Sequence, residues 1–526
     1  MGPHRGSSSL RPTSFLLSLP PEILRIICVL VDGLDCSEVF LENTWGEEDC
    51  NVSEIVPLSS TCRALRNIIQ PWIFRFVYNW NREQEIWPES IWDLIRQVNL
   101  RERQIRNPQP IKLSSALFDA LPQLPALTKA TLTLDETIPT QLLVALSRAP
   151  QLSTLEIHRA KLDGIALSFP KTAFLKLETL IISVWAITIK PTIRTTHGAT
   201  EVHNVMLLLQ CVGPRLKILK ISGDLISSMF LDVAWPRLES FTVTEHIPSP
   251  YYPVPRLISH MPLLRELSIL FTADLTQSDS RRHPPFTLGS VNGKQLDALA
   301  PGLSSARFSN LTSEDPIFAQ LPTTLTGLHI EAAKDLYRPA LDNPRSFLEL
   351  PLNPTSVLRV IESISHLTNL VELTLTLNHF PTSALINTVA DAFSDLEFLE
   401  LGYPRYMHGQ VVPDDLRDQA LLDSLARFPR LRHVRISLDF QRRMNDMRQT
   451  TPQIRVARWF LTRLPRLQTI SFTFHNWNAM AWTWYLPLER TSWMTHTRDV
   501  LLLDEPDPDP PPRRQRRATP QPPVSE

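Results

Sequence analysis

One short pattern of apolar and polar positions recurs along the chain. It reads L-x-x-L-x-I, with other apolar residues substituting at each place. Clear copies are Leu152/Leu155/Ile157, Leu177/Leu180/Ile182, Leu216/Leu219/Ile221, Leu238/Phe241/Val243 and Leu264/Leu267/Ile269. Further copies are Leu325/Leu328/Ile330, Leu370/Leu373/Leu375, Leu396/Leu399/Leu401, Leu431/Val434/Ile436 and Leu467/Ile470/Phe472. Weaker ones, Leu127/Ala130/Leu132 and Leu303/Ala306/Phe308, fill gaps at the expected spacing. Ile95/Val98/Leu100 also fits, in competition with a helix over Ser90 to Val98. The shortest spacings are 22 to 26 residues, and longer ones imply inserted loops.

The spacing within each copy has a physical cause. Side chains two apart on a strand share a face, so the second and third apolar residues enter one core. The first leads the chain in from the same side. Proline stands two residues ahead of the first Leu in eight copies: Pro125, Pro150, Pro214, Pro236, Pro262, Pro301, Pro429 and Pro465. There it ends a helix and starts an extended segment. Helical patterns lie between, at Gln141–Arg148, Val357–Leu367, Asp415–Phe428 and Ile454–Leu464. Each copy therefore reads as a strand plus a helix. One such unit cannot bury enough surface to offset its ordering, so the copies must stack. The competing reading is a compact α/β domain with a parallel sheet.

The positions between the apolar ones face away from that core. They are polar and mixed in charge, and Glu156, His158, Lys220, Thr242, Glu372, Thr374, Glu400 and Arg435 form a candidate partner-binding face. Part of this is the preference of Thr for exposed strand positions. Without a dense Arg cluster, the face suits a protein better than a phosphate ligand or nucleic acid.

Composition narrows the class. The 526 residues carry a net charge of −1, with 43% hydrophobic and 20% charged residues, as in an ordinary folded protein. Such a balance removes the bulk electrostatic case for nucleic-acid or membrane binding. No apolar run spans a bilayer, and Pro20, Pro21, Glu22 and Arg25 interrupt the stretch that could resemble a secretory signal. The five cysteines are odd in number and form no C-x-x-C pair, which points to a reducing cytoplasmic or nuclear setting. With 46 prolines but only 14 glycines, the chain has many breaks and few phosphate-cradling loops.

The N-terminal region carries a different motif. Residues 15–31 read FLLSLPPEILRIICVLV, where Pro21 opens a helix, Glu22 lies in its first turn, and Ile23, Ile27 and Leu30 make one apolar stripe. Downstream, Thr61 to Arg66 read T-C-R-A-L-R, ahead of Pro71 and Phe74. Together these resemble an F-box, the three-helix module that docks a Skp-type adaptor within SCF (Skp–cullin–F-box) ubiquitin ligases. The resemblance implies that Leu19, Pro20, Glu22, Ile23 and Ile27 contact the adaptor, with Cys62, Arg63 and Leu65 in the later part of the module. An insertion at residues 32–54 holds eight acidic residues and no Lys or Arg. It reads as a solvated surface loop, or alternatively as a regulatory one. A plain helical cap on the repeats is the other reading of these helices.

The array from about residue 124 resembles the leucine-rich-repeat family. Its copies are degenerate: the family's Asn, three positions past the third apolar residue, is matched only by Asn378. The expected fold is an irregular, leucine-rich-repeat-like α/β repeat solenoid with an N-terminal all-α F-box module. The divisions are a disordered start at 1–14, the F-box at 15–80, the solenoid at 81–500 and a disordered Pro/Arg-rich tail at 501–526. Within the solenoid, Trp477, Trp482, Trp484, Tyr485 and Trp493 read as a C-terminal cap or as an interaction hot spot.

Motifs for catalysis are missing: no G-x-G-x-x-G, Walker loop, H-E-x-x-H or G-x-S-x-G occurs, and the histidines lack metal-ligand spacing. No cofactor or metal is expected. The expectation is a non-catalytic adaptor binding a Skp-type protein and cullin scaffold at one end and an unknown protein substrate on the repeats. The alternative is a ligase-independent repeat scaffold or inhibitor.

Overall fold

The computed structural model describes residues 70, 74–79, 87–101, 115–134, 137–158, 161–162, 169–170, 172–183, 199–245, 248, 252–271, 287–289, 296–331, 352–379, 381–402, 419–436, 457, 459–476, 479–487 and 500–503. The chain forms two compact units, Met1–Asn378 and His379–Glu526.

Among the described residues of the first unit, eleven strands add to one sheet in chain order: β1 (Phe76–Asn79), β2 (Gln97–Arg101), β3 (Lys129–Thr133), β4 (Thr154–His158), β5 (Thr179–Ser183) and β6 (Ile218–Ser222), then β7 (Ser240–Glu245), β8 (Glu266–Phe271), β9 (Ser305–Ser309), β10 (Gly327–Glu331) and β11 (Glu372–Thr376). Every neighbouring pair is parallel. A doubly wound sheet reverses its strand order at a switch point. Here each strand lies beside its predecessor and its successor, the order of a stacked repeat. An α/β repeat solenoid is therefore the architecture, and the compact-domain alternative does not hold.

The repeat is exact at the level of hydrogen bonds. At each of these steps, one carbonyl just ahead of a strand accepts two consecutive N–H groups leading into the next. Arg96 O takes Thr128 N and Lys129 N at 2.8 and 3.0 Å, and Thr128 O takes Ser153 N and Thr154 N at 2.9 and 3.0 Å. The series runs from Arg75 O to Thr326 O, which receives Val371 N and Glu372 N. Thus the chain enters every strand at one height, and the apolar positions stack in columns: Leu155 on Leu180, Leu180 on Leu219, Leu219 on Phe241. All four are fully buried.

Both readings of Ser90 to Val98 hold in part, because a 3₁₀ turn at Glu89–Leu94 leads directly into β2. The segment Phe76–Asn79 supplies the first strand among the described residues, although its sequence reads as the end of the N-terminal module. The F-box-like residues at 15–69, Pro71 and the acidic insertion at 32–54 lie outside the described residues.

Connections vary more than the strands. Helices are α1 (Ser115–Ala120), α2 (Thr140–Ser147), α3 (Ala199–Val212), α4 (Val254–Leu257), α5 (Ile317–Gln320) and α6 (Pro354–Ile364). In α6, Asn353 caps the first turn by accepting Ser356 N–H at 2.8 Å. Its Val357, Val360, Ile361 and Ile364 fall on one buried face. Long helix α3 instead grips a loop: buried Glu201 accepts Leu162 N–H at 3.1 Å, and Asn204 donates to Leu162 O at 2.6 Å.

A helix in every copy, as the sequence suggests, is not what forms. Between β6 and β7 only 3₁₀ turns fit, and stacked rings fill the space; Phe230 lies 5.0 Å from Trp235 and 5.6 Å from Phe241, centroid to centroid. Pro214 likewise sits inside a 3₁₀ turn, Gly213–Arg215, rather than opening the extended segment. Near β10, the buried Asp315 carboxylate accepts N–H groups from Leu288, Gly289 and Ile317 at 2.7, 2.9 and 2.9 Å. Burial pushes its carboxyl above the usual range, against the pull of those three donors.

The second unit repeats the scheme. Helix α7 (Ser383–Ala392) is capped by Thr382, and helix α8 (Gln419–Ala426) follows strand β12 (Phe398–Gly402). Strand β12 pairs in parallel with β13 (His433–Ile436), and β13 with β14 (Thr469–Asn476). The chain then reverses: β15 (Ala479–Pro487) runs antiparallel to β14, and β16 (Val500–Leu503) runs parallel to β15. Trp482 and Trp484 lie on β15, so this Trp-rich segment continues the sheet past the last repeat.

Candidate partner-binding face

Strand periodicity turns one side of each sheet toward the core and leaves the other lined by the intervening residues. In β3, β4 and β5 burial alternates residue by residue. Because all strands share one register, the outward residues form rows across the sheet. Thr131, Glu156, Ile181, Lys220 and Thr242 occupy one row of the first unit. Four of the candidate residues, Glu156, His158, Lys220 and Thr242, thus fall within four consecutive strands.

Glu156 is the most constrained of them. Its carboxylate meets Lys129 Nζ at 2.8 Å, accepts the Thr131 hydroxyl at 3.0 Å and lies 3.7 Å from His158 Nε2. Partial burial opposes the charge, but the bonds from His158, Lys129 and Thr131 outweigh it and hold the carboxyl at about 2. His158 extends the network, with Nδ1 hydrogen-bonded to Ser183 Oγ at 2.7 Å. Five side chains from three adjacent strands are therefore locked into one arrangement before any partner arrives. Such pre-ordering lowers the entropy lost on binding.

Two more candidates meet near the end of the unit. His329 Nδ1 is hydrogen-bonded to Thr374 Oγ1 at 2.9 Å, and its Nε2 lies 3.8 Å from Glu372 Oε1. Thr374 occupies the outward row, opposite His329, as its strand phase predicts. It is nevertheless only 3% exposed. Its place on the accessible face is corrected: the neighbouring imidazole packs against its hydroxyl, and alternation alone does not report such cover.

In the second unit, Arg435 donates to Glu400 at 3.0 Å and lies over the Phe398 ring at 5.8 Å. His433 Nδ1 is bonded to Thr469 Oγ1 at 2.8 Å. The adaptor-contact candidates Leu19, Pro20, Glu22, Ile23, Ile27, Cys62, Arg63 and Leu65 lie outside the described residues.

The candidate face did not include Lys129, Thr131, His329 or the pair Arg307–Glu331, which is bidentate with both contacts at 2.8 Å. All stand at outward positions, so the repeat register held the signal. Opposite charges one repeat apart on adjacent strands are within reach of each other. Among the described residues, no three His, Cys, Asp or Glu side chains are placed to hold a metal ion, and no helix is long and apolar enough to cross a membrane.

These features define an α/β repeat protein with a polar, hydrogen-bonded strand face. No family model matches the chain, and no curated protein matches it. Among solved structures, the chain is similar to one in the yeast Rad7 and Elc1 complex: 14% identity over 74% of this chain and 91% of that one, at a TM-score of 0.30. A chain of the mouse RP105/MD-1 complex is similar at 13% identity over 65% of this chain and 55% of that one, with a TM-score of 0.29. At these TM-scores neither likeness carries a functional argument.

Proposed function

We propose that this protein is a non-catalytic adaptor, the substrate-recognition subunit of an SCF-type ubiquitin ligase. In this reading the F-box-like segment docks a Skp-type adaptor and through it a cullin scaffold. The outward strand face takes a protein substrate, in the cytoplasm or nucleus, and associated enzymes perform ubiquitin transfer. The observation that carries the substrate-binding half is the Glu156 network, a rigid polar patch of mixed charge that suits protein recognition. The ligase half rests on the motif at Leu19 to Leu24 with Thr61 to Arg66.

Co-purification of the full chain with a Skp-type adaptor tests the proposal. Wild-type protein is expected to retain the adaptor, and Leu19→Asp to lose it. If neither binds, the ligase assignment falls and a ligase-independent scaffold or inhibitor takes its place.

A further inference from the structure

A second surface of the repeats carries an unbalanced charge. In the second unit a cleft of about 590 Å³ opens beside the starts of β12, β13 and β14. Two successive repeats bring the same tripeptide to it, Pro429-Arg430-Leu431 and Pro465-Arg466-Leu467. The leucines are buried, so each arginine is directed outward between a proline and a core anchor.

Side chains at equivalent positions stack in columns, one strand spacing apart. In the first column Asp395 faces Arg430 at 3.5 Å, and Arg466 follows one repeat later. The second column runs Glu397, Arg432 at 3.8 Å, then Gln468. Each of the two earlier arginines thus has a carboxylate of the preceding repeat. Arg466 instead donates to a backbone carbonyl, Pro429 O at 2.6 Å, with no carboxylate partner among the described residues. Across these six positions three guanidinium groups face two carboxylates.

We infer that this cleft is a docking site for an acidic peptide segment of a partner protein, with one carboxylate seated on Arg466 and flanked by Arg432 and Gln468. The planar guanidinium fork matches a carboxylate, and the Gln468 amide adds a donor. Pro429 and Pro465 supply apolar walls of the kind a peptide covers. Nucleic acid fits poorly: among the described residues no aromatic face lines the cleft for base stacking, Glu397 lines it, and the excess is a single positive charge. The site stands apart from the strand-face reading above, because its residues precede the strands.

The test is fluorescence anisotropy on the full-length protein with a labelled Glu-rich peptide. Saturable binding is expected, weakened about tenfold by Arg466→Gln, the scale of one charge-assisted contact. Arg466→Lys should fall between, and Arg148→Gln, an exposed arginine elsewhere, should match wild type. Thermal unfolding of each variant should match wild type, because the replaced side chains are exposed. Binding of a Gln-rich peptide of the same length with equal affinity would overturn the proposal. So would unchanged binding by Arg432→Gln/Arg466→Gln, an equal loss with Arg148→Gln, or tighter binding of an oligouridine probe that Arg466→Gln abolishes.

Discussion

Lys129 Nζ lies 2.8 Å from Glu156 Oε1, across adjacent parallel strands and one repeat apart. Glu156 accepts hydrogen bonds as well as charge there, and its carboxyl is held at about 2, against an ordinary value of 4.5. A folded-state pKa below the unfolded one adds stability that is complete above the unfolded value. That stability is lost as pH falls through the window from about 4.5 to about 2. Glu156→Gln should therefore lower stability by about 1–2 kcal/mol at neutral pH. The gap between variant and wild type should close as the solution is acidified. Denaturant unfolding at neutral and acid pH measures it, and a gap constant down to pH about 2.5 would contradict the network.

Ile218 and Leu219 are chain neighbours of similar size on β6, yet Ile218 is 42% exposed and Leu219 fully buried. Leu219→Asp should cost at least about 4 kcal/mol, because it places an unpaired charge in the column between Leu180 and Phe241. Ile218→Asp should shift stability by less than about 1 kcal/mol. Equal losses in thermal unfolding would refute the assigned strand phase.

Gly289 lies where any side chain would collide with backbone. A Cβ built there would sit 2.3 Å from Ile317 N and 2.6 Å from Pro316 C. Gly289→Ala should cost about 2–3 kcal/mol by forcing the loop off Asp315. Hydrogen exchange at the Leu288 and Ile317 amides, both held by that carboxylate, should rise with it.

In the proposed function, adaptor docking is separable from repeat folding. Leu19→Asp should abolish retention of a Skp-type adaptor, a loss of at least about 2 kcal/mol, while the thermal transition of the repeats is unchanged. A pull-down indistinguishable from wild type would remove the F-box assignment.

Much of the fold was legible because its signal is local. An apolar residue, another three positions on and a third two beyond that mark a strand, its phase and its core side, whatever lies elsewhere. Even the weak copy Leu303/Ala306/Phe308 forms β9 in register with its neighbours. The connections were less legible. Whether residues between strands form a helix such as α6 or a turn stacked with rings such as Phe230 and Trp235 depends on the volume left between neighbouring repeats.

By itself the sequence determined which residues face the core and which face away, because side-chain direction in a strand follows from backbone geometry alone. It determined the order of the strands in each unit too, since a repeat that buries its face only against neighbours must stack in chain order. Only the tertiary structure decided which outward side chains meet. Glu156 finds Lys129 and Thr131, His158 finds Ser183, and Arg466 is left beside Pro429 O with no carboxylate among the described residues, because these contacts require register between segments 25 to 37 residues apart. The covering of Thr374 by His329 was decided there as well: a hydroxyl at an outward position is exposed or buried according to the side chain on the next strand.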